Sequence, residues 1–140
     1  MFELSERSKL RLESVHPLLV SVVYRAVHHT KVDFAVLEGL RAPERQAHLV
    51  SIGASRTLQS LHLRQTDGFA HAVDLVACGD LNRDGEIDAR DRRIVWERDH
   101  YIEIAAGMFK AAKQLQATVR WGGYFRGFFD GPHFEIRGAL

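Results

Sequence analysis

The segment His71-Ala72-Val73-Asp74-Leu75-Val76-Ala77 reads as a β-strand with a carboxylate at its centre, flanked on both sides by apolar residues. Burying an unpaired carboxylate in such a strand is costly, so any fold the chain adopts must bring a metal ion or a basic side chain to Asp74. The histidines nearby favour the metal. The tail, Asp130-Gly131-Pro132-His133-Phe134-Glu135, sets a second carboxylate three residues before a histidine, across a Gly-Pro turn. His133 opens a short final strand, and Glu135, two residues on, shares its face.

A third ligand is available from His62 or His71. His71 and Asp74 are three apart, and an odd separation in a strand points side chains to opposite faces, so His62, on a preceding loop, is preferred. Two histidines and an aspartate suit a zinc site of three protein ligands with one position open. Asp130 is then left to activate a water, which points to hydrolysis. The remaining histidines, His16, His28, His29, His48 and His100, are expected in surface or helix-cap roles.

Residue patterning implies α+β with a small antiparallel sheet packed against helices. Ser5 suits the N-cap of a first helix and Pro17 the N1 position of a second, whose Leu18, Leu19, Val22, Val23, Ala26 and Val27 recur at helical spacing. Strands are expected at 33–37, 71–77, 118–121 and 133–136. Helices are expected at 43–51 and from about Arg92 to Gln116. The order lacks an alternating βαβ rhythm. At 140 residues the chain is read as one domain. A net charge of +1 with scattered basic residues gives no electrostatic case for nucleic acid. The single cysteine, Cys78, excludes an internal disulfide and reads as an inert, partly buried thiol. The start, MFELSERSKLRLE, has no apolar core of a secretory signal, and the apolar run from Leu18 to Val23 is too short to span a bilayer. A protein made and kept in the cytoplasm, without membrane association and monomeric, is the expectation. Trp96 and Trp121 read as core residues rather than sugar platforms.

These segments resemble the zinc peptidases that include D-alanyl-D-alanine carboxypeptidases, dipeptidases and the phage L-alanyl-D-glutamate endopeptidases used as endolysins. The family pattern reads S-x-H-x-x-G-x-A-x-D, then a long helix, then W-G-G and D-x-x-H-x-E. Ser60, His62, Ala72 and Asp74 match its first part, and Trp121-Gly122-Gly123, Asp130, His133 and Glu135 its second. Glu38-Gly39-Leu40-Arg41 resembles an upstream segment whose arginine contacts substrate in this family. The resemblance implies a hedgehog-like DD-peptidase fold, zinc on His62, Asp74 and His133, and Asp130 as general base. It further implies Arg41 on a substrate carboxylate, with a structural salt bridge as its alternative, Ser60 as a support of the loop and Glu135 as the residue that orients a ligand. His71, the histidine not preferred, is read from its position as standing behind the ligands or at the surface. The chain departs from the pattern in spacing. His62 and Asp74 are twelve apart where the family has seven, and Ala70 replaces a glycine, so five residues are added within Arg64 to Phe69. A longer loop there adds little closure entropy.

Asp80 to Asp91 fits a twelve-residue calcium loop, with Asp80, Asn82, Asp84, Asp88 and Asp91 as oxygen donors, the carbonyl of Glu86 and a glycine, Gly85, at the sharp turn. The aspartate at its last position resembles dockerin loops. A solvated acidic turn is the plainer alternative. Calcium is expected to order this connection and so support the zinc site. The implied function is a zinc endopeptidase acting on the peptide stem of bacterial peptidoglycan during phage-driven host lysis. It would be released to the cell wall through a membrane pore made by another protein. The alternatives are a D,D-carboxypeptidase or dipeptidase, and a non-catalytic calcium-dependent binding module whose zinc is structural.

Overall fold

The computed structural model describes residues 2–79 and 93–137. Its chain order is α1 (Glu6–Arg11), α2 (Pro17–His29), β1 (Phe34–Glu38), α3 (Pro43–Ser51), β2 (Ala72–Gly79), β3 (Arg93–Val95), α4 (Arg98–Gln114), β4 (Thr118–Trp121), a 3-10 turn (Gly122–Tyr124) and β5 (His133–Arg137). The helix starts follow local chemistry. Ser5 caps α1 by accepting from the Ser8 N–H at 3.1 Å. His16 caps α2 through Nδ1, which accepts from the Leu18 N–H at 3.1 Å, with Pro17 in the first turn.

Leu19, Val22, Val23, Ala26 and Val27 form the buried stripe of α2. It packs on α4, whose Tyr101, Ile104, Ala105, Met108, Ala111 and Ala112 are buried. Both helices share one core with the sheet, through Phe34, Val36, Val73, Leu75, Phe134 and Ile136.

Among the described residues the named strands pair antiparallel, as the α+β reading expected, in the order β1-β2-β5-β4 with β3 added to β2. The register sets the site. Asp74 on β2 lies opposite Glu38 of β1 on one side and opposite His133 of β5 on the other. A bulge between Val36 and Glu38 brings Glu38 into that row.

Two expectations fail here. The segment after residue 92 does not enter a helix directly: Ile94 and Val95 first pair with Cys78 and Ala77 as β3, and α4 begins at Arg98. Two β-branched residues beside an open β2 edge favour the ladder over the helical register. The Tyr101 hydroxyl ties the two together, donating to Val95 O at 2.8 Å and accepting from the Ala77 N–H at 3.3 Å. Trp96, expected in the core, is 60% exposed and stacks on Tyr101 at 5.9 Å, whereas Trp121 is buried as expected. Cys78 is buried on β2.

Candidate active site

His62 reaches the centre of the molecule from the turn before β2, and the backbone holds it on both sides. Ser60 Oγ accepts from the His62 N–H at 3.1 Å, and His62 O accepts from the Arg41 N–H at 2.8 Å. Its Nδ1–H donates to Gly39 O at 2.9 Å, which leaves Nε2 as a bare lone pair. Nε2 is buried without a hydrogen-bond partner and lies 3.3 Å from Asp74 Oδ1. Two lone pairs facing each other at that distance repel unless a metal ion or a proton lies between them.

His133 completes the set. Its Nδ1 is 3.5 Å from Asp74 Oδ1, and its Nε2–H donates to Glu135 Oε1 at 2.9 Å. One donor atom from each of His62, Asp74 and His133 lies within 4.8 Å of the others. Tetrahedral zinc with bonds of about 2.0–2.1 Å would hold its donors roughly 3.4 Å apart, so two imidazoles and a carboxylate at these separations fit the ion. The electrostatics make the same demand. Burial pushes the Asp74 carboxyl up, but the facing His133 and His62 outweigh it and hold it far below the carboxylate range. Burial lowers His133, and Asp74 and Glu135 reverse this, raising it to about 9. The cluster thus gathers positive charge even from solvent protons.

Glu135, whose Oε1 accepts from the His133 ring, is itself buried, with Arg137 Nη2 2.7 Å from Oε2 outside hydrogen-bonding alignment. Glu135→Gln should weaken zinc binding by about 10–100-fold, read by competition with a chelator. An unchanged affinity would make Glu135 a packing residue only.

Asp130 lies beside this cluster, at the end of the connection from β4. Its N–H donates to Gly122 O at 3.1 Å and its carbonyl accepts from the His133 N–H at 3.2 Å. Burial and the negative Asp74 push its carboxyl up, against the pull of His133, His62 and Arg41. The Trp-Gly-Gly motif has a steric cause: a Cβ on Gly122 would overlap the Asp130 carbonyl oxygen and sit 2.9 Å from Asp130 Cβ. Asp130, Asp74, His62 and His133 open onto a cleft of about 590 Å³.

Arg41 lines the cleft, yet most of its fork is engaged. Nε and Nη2 donate to the two Glu38 oxygens at 2.6 and 2.7 Å, and Nη1 donates to Gln46 Oε1 at 2.7 Å. Nη2 also lies 3.6 Å from Asp74. Burial lowers Arg41, and Glu38 more than restores it. The geometry is that of the structural salt bridge weighed as the alternative to substrate contact, with one N–H left on each terminal nitrogen. Glu38 and Gln46 were missed as site residues. Gln46 carried a faint signal as a polar residue on the inward face of α3, where it is 1% exposed.

His71 does not stand behind the ligands by its side chain. Its Nε2 is 2.7 Å from Asp67 Oδ2, and its ring meets His16 edge-on at 5.4 Å. The added loop residues carry Asp67, and that carboxylate captures the histidine. His71 still supports His62 through the backbone, its N–H donating to Leu61 O at 2.7 Å. Partial burial pushes Asp67 up, but the His71 hydrogen bond and the Phe69 N–H hold it below its ordinary 3.8. This link therefore stabilises the fold above pH 3.8 and is lost as pH falls through the lower folded value. Asp67→Asn should flatten that acid-side fall in thermal melts; an unchanged slope would show that the link contributes nothing. The proposed calcium donors Asp80, Asn82, Asp84, Glu86, Asp88 and Asp91 lie outside the described residues.

Comparison with known proteins adds to this geometry. The family model for phage L-alanyl-D-glutamate peptidase matches residues 1–137. The L-alanyl-D-glutamate peptidase of Escherichia phage T5 is 25% identical over 146 residues, spanning 96% of this chain and 98% of that protein. The L-alanyl-D-glutamate peptidase of Listeria phage A118 is 28% identical over 105 residues, spanning 75% of this chain but 31% of that longer protein. The crystal structure of the Serratia marcescens L-Ala D-Glu endopeptidase ChiX superposes with a TM-score of 0.80 at 37% identity, covering 97% of this chain and 90% of that one.

Proposed function

The chain belongs to the phage L-alanyl-D-glutamate peptidase family, and from that premise we propose that it is a zinc endopeptidase hydrolysing the L-alanyl-D-glutamate bond of the peptidoglycan stem. The observation that carries the zinc reading is the bare, buried Nε2 of His62 aimed at Asp74, with His133 Nδ1 completing a three-donor set. The spare carboxylate, Asp130, in the same cleft supports catalysis over a purely structural metal.

When bound, zinc supplies a Lewis acid for the scissile carbonyl. The protein's own residues do the rest. Gly39 and Glu135 lock the two imidazoles in the tautomers that present a lone pair to the centre. Asp130, its proton affinity raised by burial and by Asp74, takes the proton of the attacking water and returns it to the leaving D-glutamate amine. Glu38 and Gln46 hold Arg41 rigid beside Asp74, where its remaining N–H groups can meet substrate. Among the described residues no helix is long and apolar enough to cross a membrane. The setting proposed is an endolysin that meets the cell wall after release from the producing cell.

Calcium on Asp80, Asn82, Asp84, Glu86, Asp88 and Asp91 is proposed from the spacing alone. The loop follows β2, the strand of Asp74, so ordering it would brace a zinc ligand. Asp84→Ala should remove calcium-dependent stabilisation in a thermal melt. Identical melts with and without calcium for the unsubstituted protein would sink this idea.

The deciding experiment is mass spectrometry of purified peptidoglycan incubated with the zinc-loaded protein. Fragments bearing a free D-glutamate amine are expected. Release of terminal D-alanine would instead make it a carboxypeptidase, and no cleavage with zinc bound would leave a binding module.

A further inference from the structure

Resting on the peptidase reading above, we propose that Arg45 and Arg56 form the subsite that recognises a free carboxylate of the stem peptide. Charges on the cleft wall divide into those already balanced and those left over. Glu38 neutralises Arg41 with a bidentate pair, His62, Asp74 and His133 answer one another around the metal position, and Asp130 beside them is the carboxylate assigned to proton transfer. Arg45 on α3 and Arg56 on the following loop line the same cleft, are exposed, and make no ion pair among the described residues. Two exposed guanidinium groups on one cleft wall, neither held by a carboxylate among the described residues, offer an anion site, since arginine forks match carboxylates bidentately.

Arg56 is also oriented. Its guanidinium lies over the Phe128 ring, 5.6 Å from the centroid, and Phe128 belongs to the connection between β4 and β5 that carries Asp130. The contact links the loop after α3 to the segment of the catalytic carboxylate, both of them cleft walls. A stacked arginine keeps its N–H edge available for an in-plane acceptor. With a net charge of only +1 over the chain, two arginines left without a carboxylate on one cleft wall are not a by-product of a basic protein.

The stem presents two chemical sources for such a carboxylate. One is the α-carboxyl that D-glutamate keeps when its side-chain carboxyl continues the stem. The other is the extra carboxyl of a diamino-diacid at the next position. Amidation of the first, or lysine at the second, removes the charge without altering the scissile bond.

The test measures kcat and KM on three synthetic stems: the free acid, the D-glutamate α-amide and the lysine stem. The unsubstituted protein should prefer the free acid over at least one of the others by about tenfold or more, the usual scale of a charge-assisted contact. Arg56→Ala and Arg45→Ala should collapse that preference, mainly through KM, with zinc content retained, and Arg56→Lys should restore part of it. The stem whose preference collapses identifies the carboxylate. Equal selectivity in the unsubstituted protein and both alanine variants would overturn the subsite while leaving the peptidase reading intact. No cleavage of any stem by the unsubstituted protein would overturn that reading, and this inference with it.

Discussion

Asp130→Asn is expected to lower kcat by about 10²–10⁴-fold, the usual contribution of a positioned general base, while zinc content is unchanged. Asparagine keeps the shape and both main-chain contacts, to Gly122 O and from His133 N, so the turn that carries the side chain survives. What is lost is the ability to accept a proton. Stability should move the other way. A carboxyl whose folded proton affinity is raised by burial weakens the fold once pH exceeds its unfolded value. Removing that charge from the metal-free protein should leave Tm the same or slightly higher at neutral pH. A loss of activity with no loss of stability separates a catalytic carboxylate from a structural one. Turnover within about tenfold of the unsubstituted protein would remove Asp130 from the mechanism.

Gly122→Ala is expected to damage both stability and activity. The added methyl has nowhere to go, because it overlaps the Asp130 carbonyl, a main-chain atom that cannot swing aside like the tip of a side chain. Relief requires the Asp130 segment to shift. Overpacking of this kind costs about 1–3 kcal/mol, visible as a lowered Tm. Because Asp130 O accepts from the His133 N–H, the same shift reaches His133, one of the three residues placed to hold a metal. A displacement of about 1 Å at a reacting group can cost 10²-fold in rate, so kcat should fall well beyond what the stability change implies. Gly127 is the useful contrast. Its φ of +82° strains any replacement, but a Cβ there meets nothing within 4 Å. Gly127→Ala should therefore lower Tm without the disproportionate loss of kcat. Equal kcat in the two variants would refute the steric account of the Trp-Gly-Gly motif.

Much of the site was legible because its signals are local. The Ser5 and Pro17 helix starts, the stripe of α2 and the strand around Asp74 each follow from residues within one turn or one strand. The preference for His62 over His71 came from the period of two along a strand, and the structure brings His62, Asp74 and His133 together. That Asp74 needed a positive partner followed from its apolar neighbours alone.

The partner of each charged group was a different matter. No local pattern says that Arg41 will be held by Glu38 and Gln46, that Asp67 will capture His71, or that Trp96 will lie outside the core. The three residues 93–95 became a strand because β2 offered an edge, and that edge exists only once the sheet is assembled. The sequence by itself determined which residue types are available and which face of each element they occupy, since both depend on short-range geometry. The tertiary structure alone decided which of them meet. It did so through the antiparallel register that aligns Glu38, Asp74 and His133 in one row, because register is chosen by burial of the whole sheet.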